Sequence, residues 1–130
     1  MNVSYVYDAG ALIAIDSNNH EMWTIHKAAL ADERQIVVPA IVVGQVWRDG
    51  SKQARLARLL RTCDIEPTEL ETAEAAGVLC GQARSSDVVD ATVMVTALAH
   101  HAVIVTSDHE DMTTLAEASG VRPRPVVIRV

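Results

Sequence analysis

Five aspartates, set at three places along the chain, are the residues whose type and spacing suit chemistry. Asp8 directly follows one short apolar run and Asp108 another, Asp87 and Asp90 open a helical pattern between them, and Asp111 lies three residues past Asp108. If the two apolar runs are neighbouring parallel strands, their carboxyl ends bring Asp8, Asp90 and Asp108 to one edge, where the sites of open parallel sheets form. Carboxylates gathered in this way repel one another unless a cation lies among them, and hard oxygen donors suit Mg2+ or Mn2+. Each acid also has a plainer role. Asp8 fits a helix N-cap, Asp87 after Ser85-Ser86 fits another, Asp90 is a first-turn acid favoured by the helix dipole, and Asp111 reads as a solvated acid at a helix start.

The elements that must position these acids are legible as an alternation. Strand-like runs occur at Val3 to Tyr7, Ile36 to Val38, Cys63 to Ile65, Val103 to Thr106 and Pro125 to Ile128, with helical patterns between them. That order predicts an α/β domain with a mostly parallel sheet of about five strands. Asn18 with Glu21, Thr68 with Glu71 and Ser107 with Glu110 have capping-box spacing, which predicts helices near 20–32, 69–83 and 109–118. Pro39 at a first helical position starts another, over 39–48. A helix over 51–61 should bury Leu56, Leu59 and Leu60 and turn Lys52, Arg55 and Arg58 outward.

Composition bounds the rest. The 130 residues are 49% hydrophobic, enough for one domain over 1–130 and too much for a disordered chain. Aromatic residues make up only 3% and Phe is absent, so the core must be Val, Ala, Leu and Ile. A net charge of -6 argues against nucleic-acid binding by bulk positive charge, but not against an acidic site neutralised by metal. Cys63 and Cys80 show neither a disulfide framework nor zinc spacing, and no run approaches the ~20 apolar residues of a membrane span, so a cytoplasmic protein without a cleaved leader is expected. The five histidines carry no metal-binding pattern.

With these residues in place the chain resembles the PIN-domain ribonucleases, and among them the VapC toxins of VapBC toxin–antitoxin pairs of actinobacterial type. The resemblance rests on the order and spacing of Tyr7-Asp8-Ala9-Gly10-Ala11-Leu12-Ile13-Ala14, Val38-Pro39-Ala40 leading to Gln45-Val46-Trp47-Arg48, Ser86-Asp87-Val88-Val89-Asp90-Ala91 and Val105-Thr106-Ser107-Asp108. It implies a three-layer α/β/α domain and a Mg2+ or Mn2+ site held by Asp8, Asp90 and Asp108, with Asp87 supporting and Asp111 a weaker candidate. It further implies hydrolysis of RNA phosphodiesters, a small antitoxin partner and a homodimer.

One position departs from the family pattern. Gln45 stands where a Glu is usual, and an amide adds no negative charge and cannot act as a base. Read from the sequence alone, Gln45 is a buried or interfacial polar residue opposite Ile41, Val42 and Val46. The departure keeps a second reading open, that of a catalytically impaired module binding RNA or a partner. Thr106 and Ser107 suit orientation of water or phosphate, and equally a strand end and a cap. Arg48, Lys52, Arg55 and Arg58 suit RNA backbone contacts, and equally a solvated helix face. A receiver-like phosphoryl-transfer module fits poorly, since it needs a lysine after a later strand and none follows Lys52.

Overall fold

A computed structural model describes residues 2–130. Five strands, β1 (Tyr5–Tyr7), β2 (Ile36–Pro39), β3 (Asp64–Glu66), β4 (Val103–Thr106) and β5 (Val127–Arg129), form one parallel sheet in the order β3-β2-β1-β4-β5. Between them run α1 (Ala9–Asp16), α2 (His20–Ala31), α3 (Ala40–Val46), α4 (Ala54–Leu60), α5 (Leu70–Ala83), α6 (Val88–His100) and α7 (His109–Ser119). From β1 the chain steps outward through β2 to β3, then crosses back to lay β4 on the other side of β1. Right-handed crossovers therefore put α1 to α4 on one face and α5 to α7 on the other, which gives the three layers expected. The reversal of strand order falls beside β1, between it and β4, where the first and fourth strands are indeed neighbours.

Burial explains why the strands are short and β-branched. β2 is buried throughout and β4 nearly so, as a central strand covered on both faces requires, whereas edge strands β3 and β5 are partly exposed. The core is aliphatic and small-residue rich. α6 buries Ala91, Thr92, Val93, Met94, Thr96 and Ala97 against the sheet.

Several helix boundaries differ from the sequence reading, each for a local reason. Asn18 takes a left-handed turn, which Asn tolerates, and Asn19 becomes the cap by accepting from the Met22 N–H at 2.9 Å. α5 is preceded by Glu69 without a side-chain cap, so Thr68 does not serve, and Asp108 rather than Ser107 caps α7. Pro39 ends β2 and stands just outside α3. α3 stops at Val46 because Trp47 is extended, and α4 begins only at Ala54 because Asp49 holds Ser51 in a turn, accepting from both its N–H and its hydroxyl. Lys52 lies in that turn rather than on a helix.

Two buried polar side chains bind these pieces together. Gln53 donates to Asp16 Oδ2 at 3.1 Å and to the Val46 carbonyl at 3.0 Å, and its Oε1 accepts from the N–H groups of Arg48 and Asp49. His26 sits between Tyr7 and Thr62. The Thr62 hydroxyl donates to the Leu59 carbonyl, so it accepts from His26 Nε2–H at 3.0 Å, and Nδ1 is left to accept from the Tyr7 hydroxyl at 2.9 Å. This assigns a neutral imidazole, in agreement with burial lowering its pKa to about 4.

Tyr7→Phe leaves His26 Nδ1 buried without a donor and is expected to cost about 1–3 kcal/mol of stability in urea unfolding. A loss within error of zero contradicts the assigned network.

Candidate active site

The site is built where the ends of β1 and β4 lie side by side. The register pairs Tyr7 with Val105, and the Asp8 N–H donates to the Val105 carbonyl at 3.3 Å, so Asp8 leaves the sheet alongside Thr106. The Thr106 hydroxyl, fully buried, donates to Asp8 Oδ2 and accepts from the Asp108 N–H at 2.8 Å. Asp8 Oδ1 in turn accepts from the Ala11 N–H at 3.0 Å and caps α1. The expected N-cap and the expected site residue are one and the same.

The neighbouring helices bring the other acids. Asp87 caps α6 through the Asp90 N–H at 3.0 Å, and Asp108 caps α7 through the Asp111 N–H at 3.2 Å. Asp90, Asp108 and Asp111 each offer a carboxylate oxygen within 4.8 Å of the others, and Asp111 is at the same time an exposed acid in the first turn of α7. Asp8 lies behind them, 4% exposed and with both oxygens engaged. No ion pair among the described residues involves any of these five acids.

Electrostatics follow from that crowding. Partial burial, then the charge and hydrogen bond of Asp87, then the charges of Asp8 and Asp108, push the Asp90 carboxyl up to about 7. Burial also raises Asp8, against the lowering by Thr106 and by the Ala11 and Gly10 amides. The hydrogen bond and charge of Asp108 raise Asp111. Hard, anionic donors that resist ionising together, and that form no ion pair among the described residues, fit a divalent cation.

Gly10 permits this assembly. A Cβ placed there would lie 1.9 Å from Ser107 Oγ and 2.9 Å from the Ser107 backbone nitrogen, so the first turn of α1 can touch the loop carrying Asp108 only if residue 10 has no side chain. Ser107 is exposed at that contact.

Other sequence candidates fall elsewhere. Gln45 is exposed on α3 rather than buried, as is Ile41, while Val42 and Val46 are buried. Its side chain makes no hydrogen bond among the described residues. Arg48 folds back on its own helix end, donating to the Gly44 and Trp47 carbonyls. Lys52, Arg55 and Arg58 line a hollow beside Asp16 at the far end of α1. Sequence reasoning missed the pocket of about 260 Å³ formed with Asp87, Asp90 and Asp111 by Arg84, Ser85 and Thr114. Arg84 sits in a left-handed C-cap normally signalled by Gly, so nothing in the sequence marked it.

Comparison with known proteins agrees with this geometry. The PIN domain family matches residues 5–117, and the chain belongs to that family, whose members are generally nucleases. Similar solved structures include VapBC2 from Rickettsia felis bound to a promoter DNA fragment, at 16% identity and a TM-score of 0.72 over 98% of this chain and 99% of that one. A toxin–antitoxin complex from Klebsiella pneumoniae matches at 22% identity and a TM-score of 0.68, covering 96% of each chain. A protein from Pyrobaculum aerophilum matches at 15% identity and a TM-score of 0.63, over 98% of this chain and 92% of that one. At these identities the likeness is one of fold. No curated protein matches the sequence.

Two outcomes follow. Gly10→Ala drives a methyl into Ser107, and overpacking of about 1–3 kcal/mol outweighs the helix-propensity gain of under about 1 kcal/mol, so its urea midpoint falls below that of wild type. Asp90→Asn acts in a pH-dependent way. A carboxyl whose folded pKa exceeds its unfolded one favours folding when protonated, and that contribution disappears as pH rises from about 4 to about 7. In EDTA the variant should therefore melt above wild type at pH 7.5 and level with it at pH 4. His26 titrates in the opposite sense in both proteins and cancels. A variant melting below wild type at pH 7.5 contradicts the repulsion.

Proposed function

We propose that the chain is a metal-dependent ribonuclease toxin of the VapC kind, restrained by a small antitoxin. The observation that carries this reading is the group Asp90, Asp108 and Asp111, gathered within 4.8 Å at the sheet's switch point and held in no ion pair among the described residues. These three, backed by Asp8, would hold Mg2+ or Mn2+. When bound, such an ion lowers the pKa of water and offsets charge on a phosphodiester.

The remaining groups act on the substrate or on the acids themselves. Thr106 and Asp87 orient Asp8 and Asp90 through the bonds already described. Ser107, exposed beside Gly10, presents a hydroxyl to a phosphate oxygen, and Arg84 places a cation for a second one in the pocket it lines with Asp87, Asp90 and Asp111. Arg48, Lys52 and Arg55 are the proposed contacts for more distant RNA phosphates. Two expected partners have support of different kinds. The antitoxin follows from the complexes in which the similar folds occur, and a homodimer from Ile13, Ile41 and Trp47, apolar side chains left 38–53% exposed on and beside α1 and α3. Among the described residues no helix is long and apolar enough to cross a membrane.

Gln45 favours a second reading, an impaired module that binds without cleaving, because one anion is missing relative to the family pattern. Cleavage of RNA measured against Mg2+ and Mn2+ concentration decides between the two. Wild type should cleave only with metal, and Asp8→Asn, Asp90→Asn and Asp108→Asn should each lose roughly 100-fold or more. Gln45→Glu should raise cleavage at limiting metal. Cleavage indifferent to metal and to the aspartates overturns the first reading, and a wild type that is inert until Gln45→Glu is introduced establishes the second.

A further inference from the structure

A hollow of about 420 Å³ lies away from the acid group, lined by Asn18 after α1, by His20, Trp23 and Lys27 of α2, and by Arg55 and Arg58 of α4. α1 separates it from Asp8 by eight residues, or ~12 Å at helical rise. In a chain of net charge -6, three permanent cations converge on one concavity, and among the described residues none of them forms an ion pair. The carboxylate in the adjoining hollow, Asp16, has Oδ2 engaged by Gln53 Nε2.

Such a cluster raises the free energy of the folded chain by mutual repulsion and, among the described residues, forms no ion pair to offset it, which suits it to an anionic ligand. The aromatic residue narrows the class. Trp23 is half-buried, held edge-on against His26 with ring centroids 6.1 Å apart, and so presents a fixed indole among the cations. An acidic peptide is served by charge alone. Cations beside a fixed aromatic surface, with the Asn18 amide and His20 imidazole at hand for base edges, match a single strand of nucleic acid, whose phosphates and stacking bases use both.

We propose that the hollow between α2 and α4 is a binding site for single-stranded RNA, with Lys27, Arg55 and Arg58 on its phosphates and Trp23 stacked on a base. This rests on the reading that the chain acts on RNA. It adds a site, set one length of α1 away from the acids, that holds the strand outside the cleavage centre.

The test measures binding in EDTA, separately from cleavage. In a Trp47→Phe background Trp23 is the only tryptophan, and octauridylate should quench its fluorescence. Arg55→Gln with Arg58→Gln, both exposed positions, should weaken binding roughly tenfold at low salt and lower the slope of log affinity against log salt by about 1.4, the equivalent of two phosphate contacts to a single strand. Arg122→Gln with Arg124→Gln removes equal charge elsewhere and should change neither quantity appreciably. Circular dichroism confirms that both pairs fold.

Equal weakening by the two pairs means diffuse electrostatics and overturns the site, as does an unchanged slope in the first pair. Quenching by a poly-glutamate peptide of matched charge at the same concentration as the RNA also overturns it, in favour of an acidic polypeptide. Failed metal-dependent cleavage with these binding results intact rejects the nuclease reading and leaves the RNA site standing. Cleavage with binding unaffected by Arg55 and Arg58 does the reverse.

Discussion

One hydroxyl holds the site together. Thr106, with no exposure to solvent, donates to Asp8 and accepts from the backbone of Asp108, so a single atom joins the end of β1, the end of β4 and the start of α7. Parallel pairing of β1 with β4 makes that bridge possible, and the reversal of chain direction across the sheet places it at an open edge. Gly10 then lets α1 lie against Ser107. Removing the hydroxyl would leave a buried carboxylate and an amide N–H short of a partner, which gives Thr106 more structural weight than its position at a strand end suggests.

Crowding five acids at one edge opposes folding, and the helices supply part of the compensation. Asp8, Asp87 and Asp108 are the N-caps of α1, α6 and α7, so three helix N-termini converge on the same region and direct the positive ends of their dipoles toward the carboxylates. Capping and site formation are thus one arrangement. Compensation is incomplete at Asp90, whose carboxylate accepts no backbone hydrogen bond among the described residues and whose pKa is pushed up to about 7. A site left short of positive charge by the protein itself is suited to receiving it from a cation.

Much of this was legible in the sequence because it depends on local patterns. The five strands, the switch point and the convergence of Asp8, Asp90 and Asp108 on one edge follow from apolar runs and from where the acids fall after them. What was not legible depends on partners distant in sequence. Capping-box spacing points to Asn18, Thr68 and Ser107 for three helix starts, where a neighbour at each start has the terminal position instead, since spacing alone cannot separate adjacent residues. Gln53, which joins Asp16, Val46, Arg48 and Asp49, looks like an ordinary helix residue in the sequence. For Gln45 the sequence offers burial or an interface, and α3 turns it outward together with Ile41, which removes burial and leaves the interface.

The net charge illustrates the same limit from another side. A sum of -6 describes the whole chain, whereas binding is governed by the field over one face, and the fold sorts the charges before any ligand meets them. Acids collect where strands end and helices begin, a placement fixed by backbone dipoles. Lys27, Arg55 and Arg58 collect where α2 and α4 lie across from each other, a placement that helical spacing and the long connection through α3 impose and that no contiguous segment displays. Because α1 separates the two groups by most of its length, their fields do not cancel at short range. A phosphate near Trp23 meets cations, and one near Ser107 meets carboxylates that only a bound cation makes hospitable. The polarity of the molecule is therefore a property of its topology, and the sum of -6 describes neither face by itself.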